Sequence, residues 1–388
     1  MLKAIVGHSE DIIAAEAARE AIDHVRCSLG EAQPQAGVLF CSVDFDHARI
    51  LSAVRAAFPA MELVGCTTDG ELSSALGFTE DSLTLLVFVS DTVEIRAGCG
   101  RDAARRGEEA GREAAANARS GMLHPAAEDR FAIILADPLN AGISDIDRGV
   151  QEVLGHTFPV IGGASAAHSK QRKTFQFFGG EVLTDSVVLL LFSGPVVFSC
   201  GLKGAFSPLG PRERVTKARN NVLYELDGKP AVDYFRRYTG NYDLFMNYCL
   251  AVYQHDRDSF FVRSAPFSDP EKGTVTLNGR IPEGATVQIG AADKKNLLAS
   301  CTDSLCQALA TYPGPQPAAA LLFSCAGRKI VMGTRIAQEV QSVRRQLPGV
   351  PFAGFYCYGE FAPLERGAPY MFHGATFVTV LLGPAQEE

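Results

Sequence analysis

The sequence has no long apolar run. Its longest, such as VVLLLF, falls far short of the ~20 residues that cross a bilayer as a helix, so no membrane span is expected. The first residues, MLKAIVGHSEDI, lack the basic segment and long apolar stretch of a secretory leader. Basic charge is also scarce. The net charge is -8 and the isoelectric point lies near 5.6, which argues against a nucleic-acid footprint. The cluster Lys170, Arg172 and Lys173 is too short for a binding stripe and reads as a solvated loop. The ten cysteines show no regular disulfide spacing, so a reducing, cytoplasmic setting is expected. Cys41, Cys66, Cys200 and Cys325 read as small core residues, and Cys301 and Cys306 fall on different faces of a predicted helix. Neither a phosphate-binding glycine loop with lysine nor a two-histidine metal motif is present.

What the chain has is a unit written three times over 388 residues. Each copy is an apolar strand, a helix, a second apolar strand, a glycine-rich turn and a third strand. The first runs from Ala36 to Leu72 and continues into SLTLLVF. The second runs from Arg130 to His168 and continues into FGGEVLTDSVVLLLF. The third runs from Ala319 to Pro363 and continues into HGATFVTVLL. With 47% hydrophobic and 21% charged residues, a large core is expected. The expected class is α/β, with layered mixed sheets covered by helices and built from the three related units.

Outside the units, Met1–Gly7 reads as a strand, and Ser9 as the N-cap of a helix reaching about Leu29. Arg101–Ser120 reads as a helical connector packed by its alanines, with an Arg105–Glu109 pair on its surface. SPLGPRERVTKARNN, from Ser207, is the best boundary candidate. A strand-rich segment containing VLYELDGKP and GTVTLNGRIPEGATVQIG follows it.

VGCTTDGEL at Val64–Leu72 and IGGAS at Ile161–Ser165 resemble the FIST N pattern. YELDGKPAVDYF at Tyr224–Phe235, IPEGATVQIG at Ile281–Gly290, LFSCAGR at Leu322–Arg328 and PFAGFYCYGEFAP at Pro351–Pro363 resemble the FIST C pattern. The resemblance covers nearly the whole chain and implies two domains, at 1–215 and 216–388. It implies a non-catalytic, stand-alone bacterial sensory protein that binds a small ligand, an amino acid or similar metabolite. Its output would pass to a histidine kinase or another signalling protein, and a homodimer is consistent with it. Haem-based nitric-oxide sensing by a non-covalent haem b is the alternative that the resemblance carries. One departure is that the second unit has no Glu at its turn, only Ser165 and His168.

Ligands of open α/β sheets collect at the carboxyl ends of strands. The polar residues there are Thr67, Thr68, Asp69 and Glu71; Asp137, Asn140, Ser165 and His168; and Arg328, Tyr356, Tyr358 and Glu360, with Cys66 and Cys357 in the same turns. Arg328 could grip a carboxylate while Glu71 or Glu360 takes an ammonium. Equally, Arg328 and Glu360 could form a buried ion pair. Haem would need an axial ligand: His373 in YMFHGATF or His168, with Cys357 and Tyr356 left open. In an enzyme, Cys66 or Cys357 would be the nucleophile, or Glu71 and Glu360 an acid–base pair.

Overall fold

The computed structural model describes residues 2–124, 127–138, 143–168, 173–240, 248–253 and 260–386. The repeat is longer than its sequence signature, because each unit begins with one more strand and one more helix. The first unit is β1 (Leu2–Ser9), α1 (Ala14–Leu29), β2 (Ala36–Ser42), α2 (His47–Ala57), β3 (Glu62–Thr68), the hairpin β4 (Glu71–Ser73) and β5 (Gly77–Thr79), then β6 (Leu83–Ser90). The second is β7 (Glu94–Arg101), α3 (Ala103–Ser120), β8 (Asp129–Ala136), α4 (Ile143–Leu154), β9 (Val160–Ala164), the hairpin β10 (Gln176–Phe178) and β11 (Glu181–Leu183), then β12 (Ser186–Ser193).

The third unit opens with β13 (Val196–Gly204) and is interrupted by an inserted subdomain. That insert comprises β14 (Ser207–Arg219), β15 (Val222–Leu226), β16 (Lys229–Pro230), α5 (Ala231–Thr239), β17 (Tyr248–Tyr253), β18 (Phe260–Ser264), β19 (Phe267–Asp269), β20 (Thr274–Thr276) and β21 (Thr286–Ala291). The unit resumes with α6 (Lys294–Thr311), β22 (Ala319–Cys325), α7 (Ala326–Met332), α8 (Ala337–Gln346), β23 (Phe352–Cys357), the hairpin β24 (Glu360–Pro363) and β25 (Tyr370–His373), and β26 (Thr376–Pro384). The segment expected to be a boundary is the long first strand of the insert.

Two readings of local structure change. Ser9 does not cap α1. It ends β1, and the helix starts five residues later behind Ile13. Arg101–Ser120 is helical from Ala103 and packed by its alanines as expected, with Ala110, Ala114 and Ala118 fully buried, and α3 is an integral helix of the second unit that packs beside α4 as α1 packs beside α2. Its surface pair joins Arg106 to Glu109 at 2.6 Å rather than Arg105 to Glu109.

No unit completes its own sheet. The three six-stranded sheets run β1-β6-β2-β3-β10-β11, β25-β24-β9-β8-β12-β7 and β13-β26-β22-β23-β4-β5. The hairpin of the first unit therefore joins the third sheet, that of the third joins the second, and that of the second joins the first. This cyclic exchange was invisible in the sequence.

The apolar strands are continuous because both of their faces are buried. In β2, Val38 and Phe40 face the central core while Leu39 and Cys41 face α1 and α2. In β8, Phe131, Ile133 and Leu135 face the centre and Ala132, Ile134 and Ala136 face α3 and α4. In β22, Leu321 and Phe323 face the centre and Ala320 and Leu322 face the helices of the third unit. The inner faces meet in a single core, where Phe40 lies 4.6 Å from Phe355 and Phe131 stacks on Phe192 at 4.5 Å. No described helix is long and apolar enough to cross a membrane.

Candidate functional site at the junction of three turns

One glycine recurs where each central parallel strand crosses its neighbour. A Cβ at Gly65, Gly162 or Gly354 would run into the carbonyl oxygen of Leu39, Ile134 or Leu322 respectively. Counting from these glycines makes Thr68, Ser165 and Cys357 equivalent. Strand register makes Glu71, Gln176 and Glu360 equivalent, since they pair with Phe355, Cys66 and Gly163, the residue after each glycine. The missing Glu of the second unit is thus Gln176, displaced along the chain by a longer loop.

The turns interlock through backbone hydrogen bonds in the same cyclic order. Asp69 N donates to Tyr356 O (2.9 Å), Tyr358 N to Ala164 O (3.2 Å) and Ala166 N to Thr67 O (2.8 Å). Below them lie three similar buried centres. Glu71 accepts from Thr68 Oγ1 and from Ser82 Oγ (2.5 Å). Glu360 accepts from Cys357 Sγ (3.1 Å) and Thr376 Oγ1 (2.5 Å). Gln176 donates through Nε2 to Ser165 Oγ (2.8 Å) and accepts from Ser186 N (3.2 Å). Burial pushes both carboxyls up to about 7, although the hydroxyl and thiol donors pull the other way. Because Ser82 donates to Glu71, the Nε2–H of His8 serves Ser82 (3.0 Å), and His8 Nδ1 accepts from Ser73 Oγ (2.6 Å). Burial lowers His8 to about 4, so the imidazole in this chain is neutral.

The other expected site residues are also placed. Cys66 is in the central core, and Thr67 accepts from Phe175 N (3.0 Å). Asp137 accepts from Asp185 N (3.1 Å), and Asn140 lies outside the described residues, as do Lys170 and Arg172. Arg328 sits in the first turn of α7 with no exposed side-chain surface. It meets Glu339, not Glu360, at 2.6 Å, and also binds Ser300 Oγ (2.8 Å) and Leu297 O (2.8 Å). Tyr356 donates to the same Glu339 (2.7 Å). Arg328, Glu339 and Tyr356 therefore form an internal ion-pair network behind β23.

Its sequence neighbour Lys329 points the other way, into the junction. Lys329 Nζ meets Asp69 Oδ1 at 3.0 Å and Asp69 O at 2.8 Å, and it also pairs with Glu80. Burial raises Asp69, with Lys329 opposing the rise. His168 approaches the same carboxylate through Nδ1 (3.7 Å), while its Nε2 meets Asp81 at 2.8 Å and Asp44 at 3.8 Å. Tyr358 closes one side by donating to Ala167 O. The junction thus takes Asp69 from the first unit, His168 from the second and Lys329 from the third. Lys329, Glu80, Asp81 and Asp44 were not singled out in the sequence, since each is an ordinary charged residue until the fold gathers them. Asp44, Asp81 and His168 bring three donor atoms within 4.8 Å of one another, a set of the kind that can hold a divalent cation.

Haem does not fit either histidine. His168 is faced by Asp44, Asp69 and Asp81, where propionates would need cations. His373 is fully buried, with its Nε2–H given to Ala362 O (2.9 Å). It lines a cavity of about 320 Å³, at the bottom of the ~300–1,000 Å³ range of ligand pockets and too small for a porphyrin. The thiols are equally poor nucleophiles, because burial pushes Cys66 and Cys357 above the normal thiol range and, among the described residues, no cation pairs with either.

The chain matches the FIST N domain over residues 35–229 and the FIST C domain over residues 231–363. An uncharacterised protein of Mycobacterium tuberculosis is 26% identical over 371 residues, covering 90% of this chain and 91% of its own. One from Methanocaldococcus jannaschii is 24% identical over 338 residues, covering 80% of this chain, which spans only 62% of that relative's length. Among solved structures, a cyanuric acid hydrolase from A. caulinodans aligns over 100% of both chains with 10% identity and a TM-score of 0.40, a likeness too weak to transfer an activity.

Proposed function

The chain belongs to the FIST family, whose domains are sensory and ligand-binding, and on that premise we propose that its ligand is an amino acid, or a metabolite of the same charge pattern, held at the three-turn junction. The observation that carries this reading is the joint origin of Asp69, His168 and Lys329 in three different units. Lys329 is placed to take a carboxylate. Asp69, Glu80, Asp81 and Asp44 outnumber the cations and favour an ammonium. Ligand entering between Lys329 and Asp69 replaces a bond between the third and first units. The packing of those units then differs between the free and bound states, which is what a sensor requires. The output is read by a separate signalling protein in the cytoplasm, a histidine kinase being the class the family resemblance implies. The chain performs no catalysis itself.

Isothermal titration of the full chain with the common amino acids tests this. At least one should bind, and Lys329→Met and Asp69→Asn should each weaken it about tenfold, the worth of one charge-assisted hydrogen bond. No heat from any of them, or unchanged affinity in both variants, would sink the proposal.

A further inference from the structure

Strand β1 is the outer strand of the first sheet, with β6 on one side and no strand of the described residues on the other. A cleft of about 810 Å³ runs along that open side, between the first and third units. Leu2, Lys3, Ala4, Ile5 and Val6 all line it. Successive strand residues point to opposite faces, so the cleft follows the edge of the sheet rather than a face. Lys3 is exposed there and Val6 partly so. In an antiparallel pair, alternate residues turn both backbone groups away from the partner strand. His8 is one of these, since its carbonyl accepts from His24 Nδ1 (3.1 Å) on α1. Val6, Ala4 and Leu2 follow in the same phase, and their outward groups bond no described residue.

The matching place between the second and first units is closed. A Cβ at Gly7 would strike Ala21 O of α1, and one at Gly98 would strike Ala114 O of α3, which makes Val6 equivalent to Ala97. The Ala97 amide donates to Glu62 Oε2 (3.2 Å), and Arg96 Nη1 donates to Glu62 Oε1 (3.3 Å). Glu62 stands three residues before Gly65. Three residues before the equivalent Gly354 stands Pro351, which lines the cleft opposite β1. The carboxylate that seals one junction is therefore missing from the other. No acidic residue lines the cleft, but two cations do. Among the described residues, Lys3 bonds only Ser28 O (2.9 Å), and Arg344 only Ser74 O (3.0 Å) and Ala75 O (2.9 Å).

We propose that this cleft docks an extended acidic segment of a partner protein, which pairs with β1 as an added strand and sets one carboxylate at the Val6 amide. Open strand edges take up extended chain, whose backbone supplies affinity and whose alternate side chains supply specificity. Charge selects an acidic partner over a second copy of this chain, which would bring the same cations. From Leu2 to Val6 the edge spans about 13 Å at ~3.3 Å per residue, room for a strand of about five residues. The docking does not depend on the ligand proposed for the three-turn junction.

The probe is a Val-Glu-Val-Glu-Val peptide with fluorescein at one end and an amide at the other, followed by anisotropy with the full chain. Binding should saturate at one peptide per chain. The Val-Gln-Val-Gln-Val peptide should bind about tenfold more weakly, the worth of one charge-assisted hydrogen bond. Methylating alternate peptide nitrogens should abolish binding in the phase that faces β1. Pro351→Glu restores the carboxylate found at Glu62 and should close the site to the peptide. Lys3→Ala and Arg344→Ala change exposed residues and should each weaken binding severalfold. No saturable binding, equal affinity of the glutamine peptide, or full binding to all three variants would overturn the proposal. A dimer of the chain that Pro351→Glu dissolves would assign the cleft to a second copy and overturn it as well.

Discussion

Replacing Glu71 by glutamine should stabilise the protein at neutral pH and leave it nearly unchanged in acid. Glu71 is fully buried, and its carboxyl is raised from 4.5 to about 7, chiefly by that burial. The unfolded chain releases this proton near pH 4.5, whereas the folded chain holds it to about 7. Between those values the folded state binds more protons, so its stability falls as pH rises and then levels off. The span corresponds to about 3 kcal/mol at 1.36 kcal/mol per unit. Glutamine titrates in neither state, so its contribution is flat. The pseudo-equivalent Gln176 shows how an amide is accommodated, with Nε2 donating to Ser165 Oγ while Ser165 donates to Ala136 O (3.2 Å). Thr68 already has the matching alternative acceptor, Cys41 O, at 3.4 Å. The assay is the melting temperature of both proteins at pH 4 and pH 8. Relative to the parent, Glu71→Gln should gain about 4 °C between the two pH values, using ~2.1 cal/mol/K per residue for the unfolding entropy. Titrations common to both proteins, such as that of His8, cancel in this difference. A shift that does not depend on pH, or a parent that gains on the variant as pH rises, would refute the reasoning.

Two further outcomes follow from groups around the junction. Arg328→Met leaves Glu339 charged and without surface exposure, and should destabilise by about 3–5 kcal/mol in urea, whereas adding Glu339→Leu should recover most of the loss. A single-variant loss below about 1 kcal/mol would show that the pair is not structural. In native protein, Cys27 and Cys306 should react quickly with a thiol reagent, while Cys66 and Cys357 should react only after denaturation. Fast labelling of Cys357, located by mass spectrometry, would reopen the reading of this chain as an enzyme.

The repeat was legible because strand–helix–strand alternation and the turn glycines are local signals. Sheet membership was not, because β4, β10 and β24 are three or four residues long and their partners are distant in sequence. The same distance hid Gln176. Thr68 and Glu71 are three residues apart, as are Cys357 and Glu360, but Ser165 and Gln176 are separated by a loop that breaks the pattern. Arg328 drew attention over Lys329 because guanidinium geometry suits carboxylates. Helical phase decides otherwise: consecutive residues of α7 point about 100° apart, so one enters the core and the other the junction.

The exchanged hairpins also set a timetable for biosynthesis. Ser73 of β4 pairs with Ala353 of β23, a separation of 353 − 73 = 280 residues. At the ~5–20 residues per second of translation, β4 waits tens of seconds for its neighbour to be made. Through that interval the first sheet can close, once β10 and β11 are made, and can pack in part on the second, as Phe88 does on Phe192, but the inner surface that meets the third sheet stays open until that sheet exists. Nascent chains of this protein therefore carry unsheltered apolar surface for most of their synthesis, and their yield in the cell depends on what shields them on the ribosome.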